Sequence, residues 1–400
     1  MKKTLITSML CMLSAVAAPA KTTLTWLDYQ TTQTKLNQLL EEDFKQYSAE
    51  HPDIEIKRTV VPFGELKNRI IQGAATKTVP DIVMVDNPDH QAMADQGAFA
   101  DITDYIKDWK YKDKYFKGPW ASTIYKGRNY GIPCFSNATV LWVNQDLLKK
   151  AGISQAPATW DELRADAKKL TGGGVYGLSL SGVGTEEGTF TFLPFLWSAG
   201  SDIATIGDEG SIKAFAMLRD LVVTDKSVSR AAIGWTQPDA FNVWVAGRSA
   251  MMINGPWQLP AMEAAKVKYP WTIAPWPKDK VEVSILGGEN FALGNGKNVE
   301  EAWKFLQWLT EPERIKAIVL STGNITNRED LADDPAWAGD PIKRVFLHAV
   351  RIAKPRAYGP KYPKMSEVIF KAMQAVMTGA KAPEQAAKDA QAELKPLLAE

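Results

Sequence analysis

Between Thr22 and Val85 the chain alternates strand-like and helix-like periods in close succession, and this constrains the fold more than any other feature. Thr22 to Leu27 alternates in the manner of a strand. From Thr34 onward, Leu36, Leu39, Leu40, Phe44 and Tyr47 fall on one face of a helix that His51-Pro52 ends. Ile54, Ile56 and Val60 alternate again, and Leu66, Ile70 and Ile71 mark a second helix. Ile82-Val83-Met84-Val85 is a short apolar run suited to a strand buried on both faces. A βαβαβ opening predicts an α/β fold with a parallel sheet.

The pattern loosens from Asp101 to Arg128 and recovers as a strand at Thr139 to Val143. Thr159 and Glu162 have the spacing of a capping box, which predicts a helix starting there. Further helices are expected at Ser211 to Leu221, Glu300 to Leu309, Pro312 to Leu320 and Pro383 to Leu398. The last carries Ala386, Ala387, Ala390, Leu394, Leu397 and Leu398 along one side. No internal repeat or low-complexity tract interrupts the chain.

The first twenty residues read as a cleavable leader. Lys2 and Lys3 precede the apolar run Leu5 to Val16, which is shorter than the roughly 20 residues a membrane span needs. Ala18-Pro19-Ala20 is a small-residue site, so cleavage is expected after Ala20 and the mature chain should reside in the periplasm. Cys11 sits inside the apolar run, not at a lipidation point. Removing Lys2 and Lys3 from 47 basic residues leaves 45 against 46 acidic ones, a balance that favours neither nucleic acid nor an anionic membrane. Cys134 would be the one cysteine left after cleavage, so stability must come from core burial instead of disulfides.

Catalytic signatures are missing from the sequence. His51, His90 and His348 are isolated and read as surface or helix residues, and there is no H-E-x-x-H, paired-cysteine or G-x-S-x-G pattern. Gly172-Gly173-Gly174 lacks the lysine and serine of a phosphate loop and reads as a turn. The chain has fourteen tryptophans. Trp303 and Trp308 follow helical spacing and suit a core, whereas Trp257 lies in the turn-like Asn254-Gly255-Pro256-Trp257. Aromatic rings beside amides and carboxylates suit a sugar, whose C–H face packs on a ring while its hydroxyls need donors and acceptors. Simple core filling is the competing explanation for such rings.

The ordered motifs TLTWLDY (23–29), VPDIVMVDNPD (79–89), YGIPCFSNATVLWVN (130–144), PATWDEL (157–163), FNVWVAGRSAMMINGPWQLP (241–260), LGGENFAL (286–293) and AWKFLQWLTEPE (302–313) run over essentially the whole mature chain. Together they resemble the extracellular solute-binding proteins of sugar ABC transporters, a group that includes maltose- and trehalose-binding proteins. The resemblance implies a two-lobed type II periplasmic-binding-protein fold, each lobe a sheet flanked by helices, with the ligand cleft at the hinge. It places one lobe at about 21–131 plus 285–327 and the other at about 132–284 plus 328–400. Function follows as non-catalytic capture of a mono- or oligosaccharide by a monomer, delivered to the permease subunits of an inner-membrane importer, with no cofactor. Another polar solute (a polyol or glycerophosphodiester) is an alternative, and a secreted glycosidase a more distant one.

Residue by residue, the resemblance assigns ligand contact to Asp28 and Tyr29 after the first strand and to Asp86 and Asn87 after the PDIV strand. Capping of the following helices is the competing role for these carboxylates. Phe135 and Asn137 match hinge positions, and asparagine departs from the relatives' aspartate. Trp257 matches a stacking position, and LGGEN a turn in which the Gly287 and Gly288 amides approach the ligand. Glu289 stands where relatives often have tryptophan. Arg356 matches an arginine that reaches the cleft or serves only as a salt-bridge partner, and Glu187 and Trp197 complete the expected set.

Overall fold

The computed structural model describes residues 21–29 and 34–399, so the expected leader and its cleavage point lie outside the described residues. Nine strands build the two main sheets: β1 (Thr22–Asp28), β2 (Ile54–Val60), β3 (Ile82–Asp86), β4 (Gly131–Asn137), β5 (Val140–Asn144), β6 (Tyr176–Ser179), β7 (Ser249–Asn254), β8 (Trp271–Ala274) and β9 (Gly287–Leu293). The first sheet has the order β2-β1-β3-β9-β4 and the second β8-β5-β7-β6.

In the first sheet β1 pairs in parallel with β2 and β3, while β9 runs antiparallel between β3 and β4. Parallel neighbours need crossover helices, and Thr34–Glu50 and Phe63–Thr76 supply them. The first buries Leu36, Leu40, Phe44 and Tyr47 on the face their spacing defines. Ile82 to Val85 of β3 are fully buried because helices cover both faces of a central parallel strand.

Two connections near the strand ends join the sheets. β4 passes into β5 through Ala138 and Thr139 alone, and residues 275–286 return from β8 to β9. Along that return Ser284 and Ile285 pair in parallel with Ala353 and Lys354. Pairing with β9 holds residues 132–137 in the first sheet.

The second lobe is built around the helix Glu186–Ser198, whose residues from Gly188 to Ser198 are all buried. A helix buried on every side is a core helix, and helices Glu209–Arg219 and Tyr362–Thr378 pack against this one. The capping box before helix Trp160–Leu170 forms as its spacing requires. Glu162 N donates to Thr159 Oγ1 at 3.3 Å, and Thr159 N to Glu162 Oε2 at 3.0 Å. Helix Pro383–Leu398 opens on a proline, whose missing N–H is no loss in the first turn, and buries Ala386, Ala387, Ala390 and Leu394.

Where the sequence periodicity loosens, residues 101–128 form short helices and the small hairpin Ile124–Tyr125/Arg128–Asn129. Its turn places Lys126 and Gly127 at φ of +49° and +73°, the two left-handed positions a tight hairpin needs. Cys134 is buried in the core, and burial pushes its thiol well above the ordinary range, which removes thiolate reactivity. No helix among the described residues is long and apolar enough to cross a membrane.

Candidate functional site

In open α/β sheets a ligand crevice forms beyond the carboxyl ends of the parallel strands. Here β1 and β3 end at Asp28 and Asp86, and antiparallel β9 brings its first residues to the same edge, with Glu289 directly opposite Asp86 in the register. A cleft of about 780 Å³ opens there, a size that suits a small ligand. Tyr29, Asp86, Asn137, Gly287, Gly288 and Glu289 form one wall. Glu186, Glu187, Phe190, Gln237, Phe241 and Trp257 are on the other, and Arg356 also lines the cleft.

Three glycines permit this geometry. A Cβ on Gly287 would lie 2.1 Å from Asn137 Oδ1, and one on Gly288 would lie 2.2 Å from the Phe135 carbonyl, with the backbone already at φ +119°. Only glycine adopts that conformation without strain. The expected turn at LGGEN is in fact the start of β9, whose register against β4 shifts between Glu289 and Asn290. Gly255 is the third: a Cβ there would lie 1.9 Å from the Trp257 ring, which folds back over the short helix Pro256–Gln258.

Charge is unevenly distributed. Arg356, buried, pairs with Glu186, lies 3.7 Å from Asp86, and donates from Nη2 to Asn87 Oδ1 and the Leu286 carbonyl, each at 3.3 Å. Its guanidinium also covers the Phe190 ring, 4.6 Å from the centroid. Tyr362 donates to Glu186 at 2.7 Å, and Ser366 donates to it as well. Tyr29 donates to Glu289 Oε1, while Glu289 Oε2 is buried without a hydrogen-bond partner. Burial pushes the Glu289 carboxyl up to about 8, with the adjacent Asp86 adding to the rise. Asp86 is raised to about 7 by burial, against the pull of Arg356. Burial also raises Glu187, whose Oε2 accepts the Gln237 N–H at 2.7 Å at the start of helix Gln237–Val245. Among the described residues, no group of three or more His, Cys, Asp or Glu could hold a metal ion.

Comparison with known proteins places the chain. The family model for bacterial extracellular solute-binding proteins matches residues 30–314. The chain belongs to this family. A putative binding protein of Brucella abortus is 25% identical over 375 residues, covering 91% of this chain and 90% of the relative. Among solved structures, an ABC transporter solute-binding protein from Thermotoga lettingae bound with alpha-D-tagatose is 26% identical with a TM-score of 0.86, covering 95% of this chain and 100% of that one. Maltose-bound T. maritima MalE3 is 25% identical with a TM-score of 0.84, covering 94% and 100%. The two-lobed α/β architecture is therefore that of the family, and its known members bind solutes.

Within this solute-binding fold, the structure brings Tyr29, Asp86, Asn137, Glu187, Trp257, Gly287, Gly288, Glu289 and Arg356 together around the cleft. Four other expected contacts lie outside its lining. Asp28 is buried and faces the core side of β1, where Arg58 Nε and Nη2 donate to its two oxygens at 2.6 and 2.9 Å. Trp26, two residues earlier and so on the same face, donates its Nε1–H to Asp28 at 2.6 Å. Asn87 is buried and acts on the cleft through Arg356. Phe135 is in the hydrophobic core, where only its backbone carbonyl nears Gly288. Trp197 is buried in the second lobe, with Nε1 donating to the Tyr358 hydroxyl at 3.2 Å.

Residues the motifs did not single out fill those places. Glu186 and Phe190, and likewise Gln237 and Phe241, are spaced i, i+4 and share a helix face that reaches the cleft. That spacing, following the Thr185 and Thr236 caps, was the available signal. Asn324 faces Asn137, whose Nδ2 donates to its Oδ1 at 3.3 Å, and no local pattern marked it. Of the three histidines, His90 is a helix residue, as one of its two readings had it, and is fully buried within helix Asn87–Asp95.

Proposed function

We propose that this chain is a periplasmic binding protein that captures a mono- or oligosaccharide between its two lobes and delivers it to the permease subunits of an ABC importer. The observation that carries this reading is the cleft itself: the rings of Phe190, Phe241 and Trp257 on one wall, carboxylate and amide groups on both, and glycine backbone at the strand ends. A pyranose ring needs those two surfaces together, since its C–H face packs on aromatics and its hydroxyls exchange hydrogen bonds with polar groups. The tagatose- and maltose-bound neighbours support the same class. A phosphodiester ligand is disfavoured because the one guanidinium in the lining is already engaged by Glu186 and Asp86.

In this reading residues 132–137 move with the first lobe, the chain acts as a monomer after cleavage following Ala20, and binding involves no turnover and no cofactor. A ligand touching both walls binds the closed state better than the open one, and that difference in affinity drives closure. A thermal-shift screen of the chain from Lys21 onward, against sugars, polyols and phosphodiesters, tests the proposal. A true ligand at about a thousand times its dissociation constant stabilises the native state by about 4 kcal/mol, a shift of several degrees. One or a few related sugars should raise the melting temperature. Silence across the sugars, or a response to phosphodiesters alone, would remove sugar capture.

A further inference from the structure

Building on the sugar-capture reading, we propose that the preferred ligand carries a protonated amine, and that the ammonium group lies against the Asp86–Glu289 carboxyl pair. Inside the rim of the cleft, four of its five lining carboxylates face one guanidinium: Asp86, Glu186, Glu187 and Glu289 against Arg356. The other charges in the lining, Lys35 and Glu263, pair with each other at 3.7 Å at the solvent-exposed rim and contribute no net charge inside.

The partners of these carboxylates are unequal. Glu186 is satisfied by Arg356, Tyr362 and Ser366, and Glu187 holds the Gln237 N–H. Asp86 reaches Arg356 only at 3.7 Å, although it sits at the first residue before helix Asn87–Asp95, where its side chain makes no capping bond. Glu289 is 5% exposed, and its Oε2 has no donor. The register that pairs Glu289 with Asp86 fixes two acids as cross-strand neighbours, an arrangement that is unfavourable unless a proton or a cation lies between them.

A neutral sugar hydroxyl brings a single donor and no charge to this pair. An ammonium brings three donors and the missing positive charge. The charged groups around the pair are Arg356, Glu186, Asp89 and Lys67, with the Tyr29 hydroxyl on Glu289. Of the two cations, Lys67 is already held by Asp89 at 2.6 Å. With burial keeping protons on Asp86 and Glu289 near neutral pH, amine binding must displace them into solvent.

Calorimetric titration at pH 7 with matched sugars tests the inference: glucosamine, glucose and N-acetylglucosamine, then the chitosan disaccharide and cellobiose, each in two buffers of different ionisation enthalpy. The expected result is that the amine of a matched set binds at least about tenfold tighter than both its hydroxyl and its N-acetyl counterpart, with net proton release. E289Q, checked for an intact melting transition, should shrink that preference toward unity. Neutral sugars binding as tightly as their amines would overturn the inference and leave sugar capture standing. No binding by either kind, here and across the wider sugar panel, would remove both.

Discussion

The two walls of the cleft are made from different materials. On the first wall the polar groups come from strand ends and from the β9 glycine backbone, where sheet register fixes each position to within a hydrogen bond: Asp86 opposite Glu289, and Gly287 opposite Asn137. On the second wall the apolar groups come from helices and a short 3₁₀ turn: Phe190 on Glu186–Ser198, Phe241 on Gln237–Val245, and Trp257 on Pro256–Gln258. The difference teaches a division of labour. Hydrogen-bond geometry decides which ligand is accepted, and ring area supplies much of the affinity.

Arg356 touches both walls, so its loss should have the largest effect. Arg356→Met leaves Glu186 and Asp86 without their shared cation, and breaking a buried pair by removing one partner costs about 3–5 kcal/mol. Urea unfolding measures this, and a loss under about 1 kcal/mol would mean that the walls do not depend on Arg356. Trp257→Ala should weaken sugar binding by about 1.5–3 kcal/mol with little change in stability, since the ring is only partly buried. Calorimetry of a normally folded variant with unchanged affinity would show that the second wall does not contact the ligand.

Asp28→Asn sharpens the comparison from the opposite side. With its carboxylate bound to Arg58 and Trp26, the substitution should lower stability by about 1–2 kcal/mol and leave affinity unchanged. An affinity loss without a stability loss would return Asp28 to the site.

The smallest effect is in pH. Glu289 holds its proton more tightly in the folded chain, so the native state binds more protons than the unfolded one between about pH 4.5 and about 8, and stability falls as pH rises through that window. Asp86 acts in the same direction from about 3.8 to about 7. The ligand-free melting temperature should therefore decline across this range more steeply in the wild type than in Glu289→Gln. Parallel profiles for the two proteins would mean that Glu289 is ionised in the folded state.

Legibility in the sequence followed the same division. Local devices were readable: the βαβαβ opening, the Thr159–Glu162 capping box, and Asp86 at the end of an apolar run. Each depends on neighbours a few residues away. Motif position also pointed to Trp257, Glu289 and Arg356, which line the cleft. Asp28 and Trp197 lie outside the lining, because lying near a strand end or on a helix does not say which face the side chain occupies. The β1 pleat turns Asp28 toward Arg58, and the helix Glu186–Ser198, buried on every side from Gly188 onward, buries Trp197. Glu186, which lines the cleft beside Glu187, went unmarked because its place there depends on Arg356, 170 residues away.

Hydrogen exchange of the protein, with and without the sugar that stabilises it, tests the shared cleft most directly. The account predicts slowed exchange on both walls together, at residues 86–91 and 287–290 on one and 186–191 and 256–261 on the other. Protection confined to one wall, or centred on the separate hollow lined by Ile203, Leu394 and Leu398, would contradict capture between the lobes.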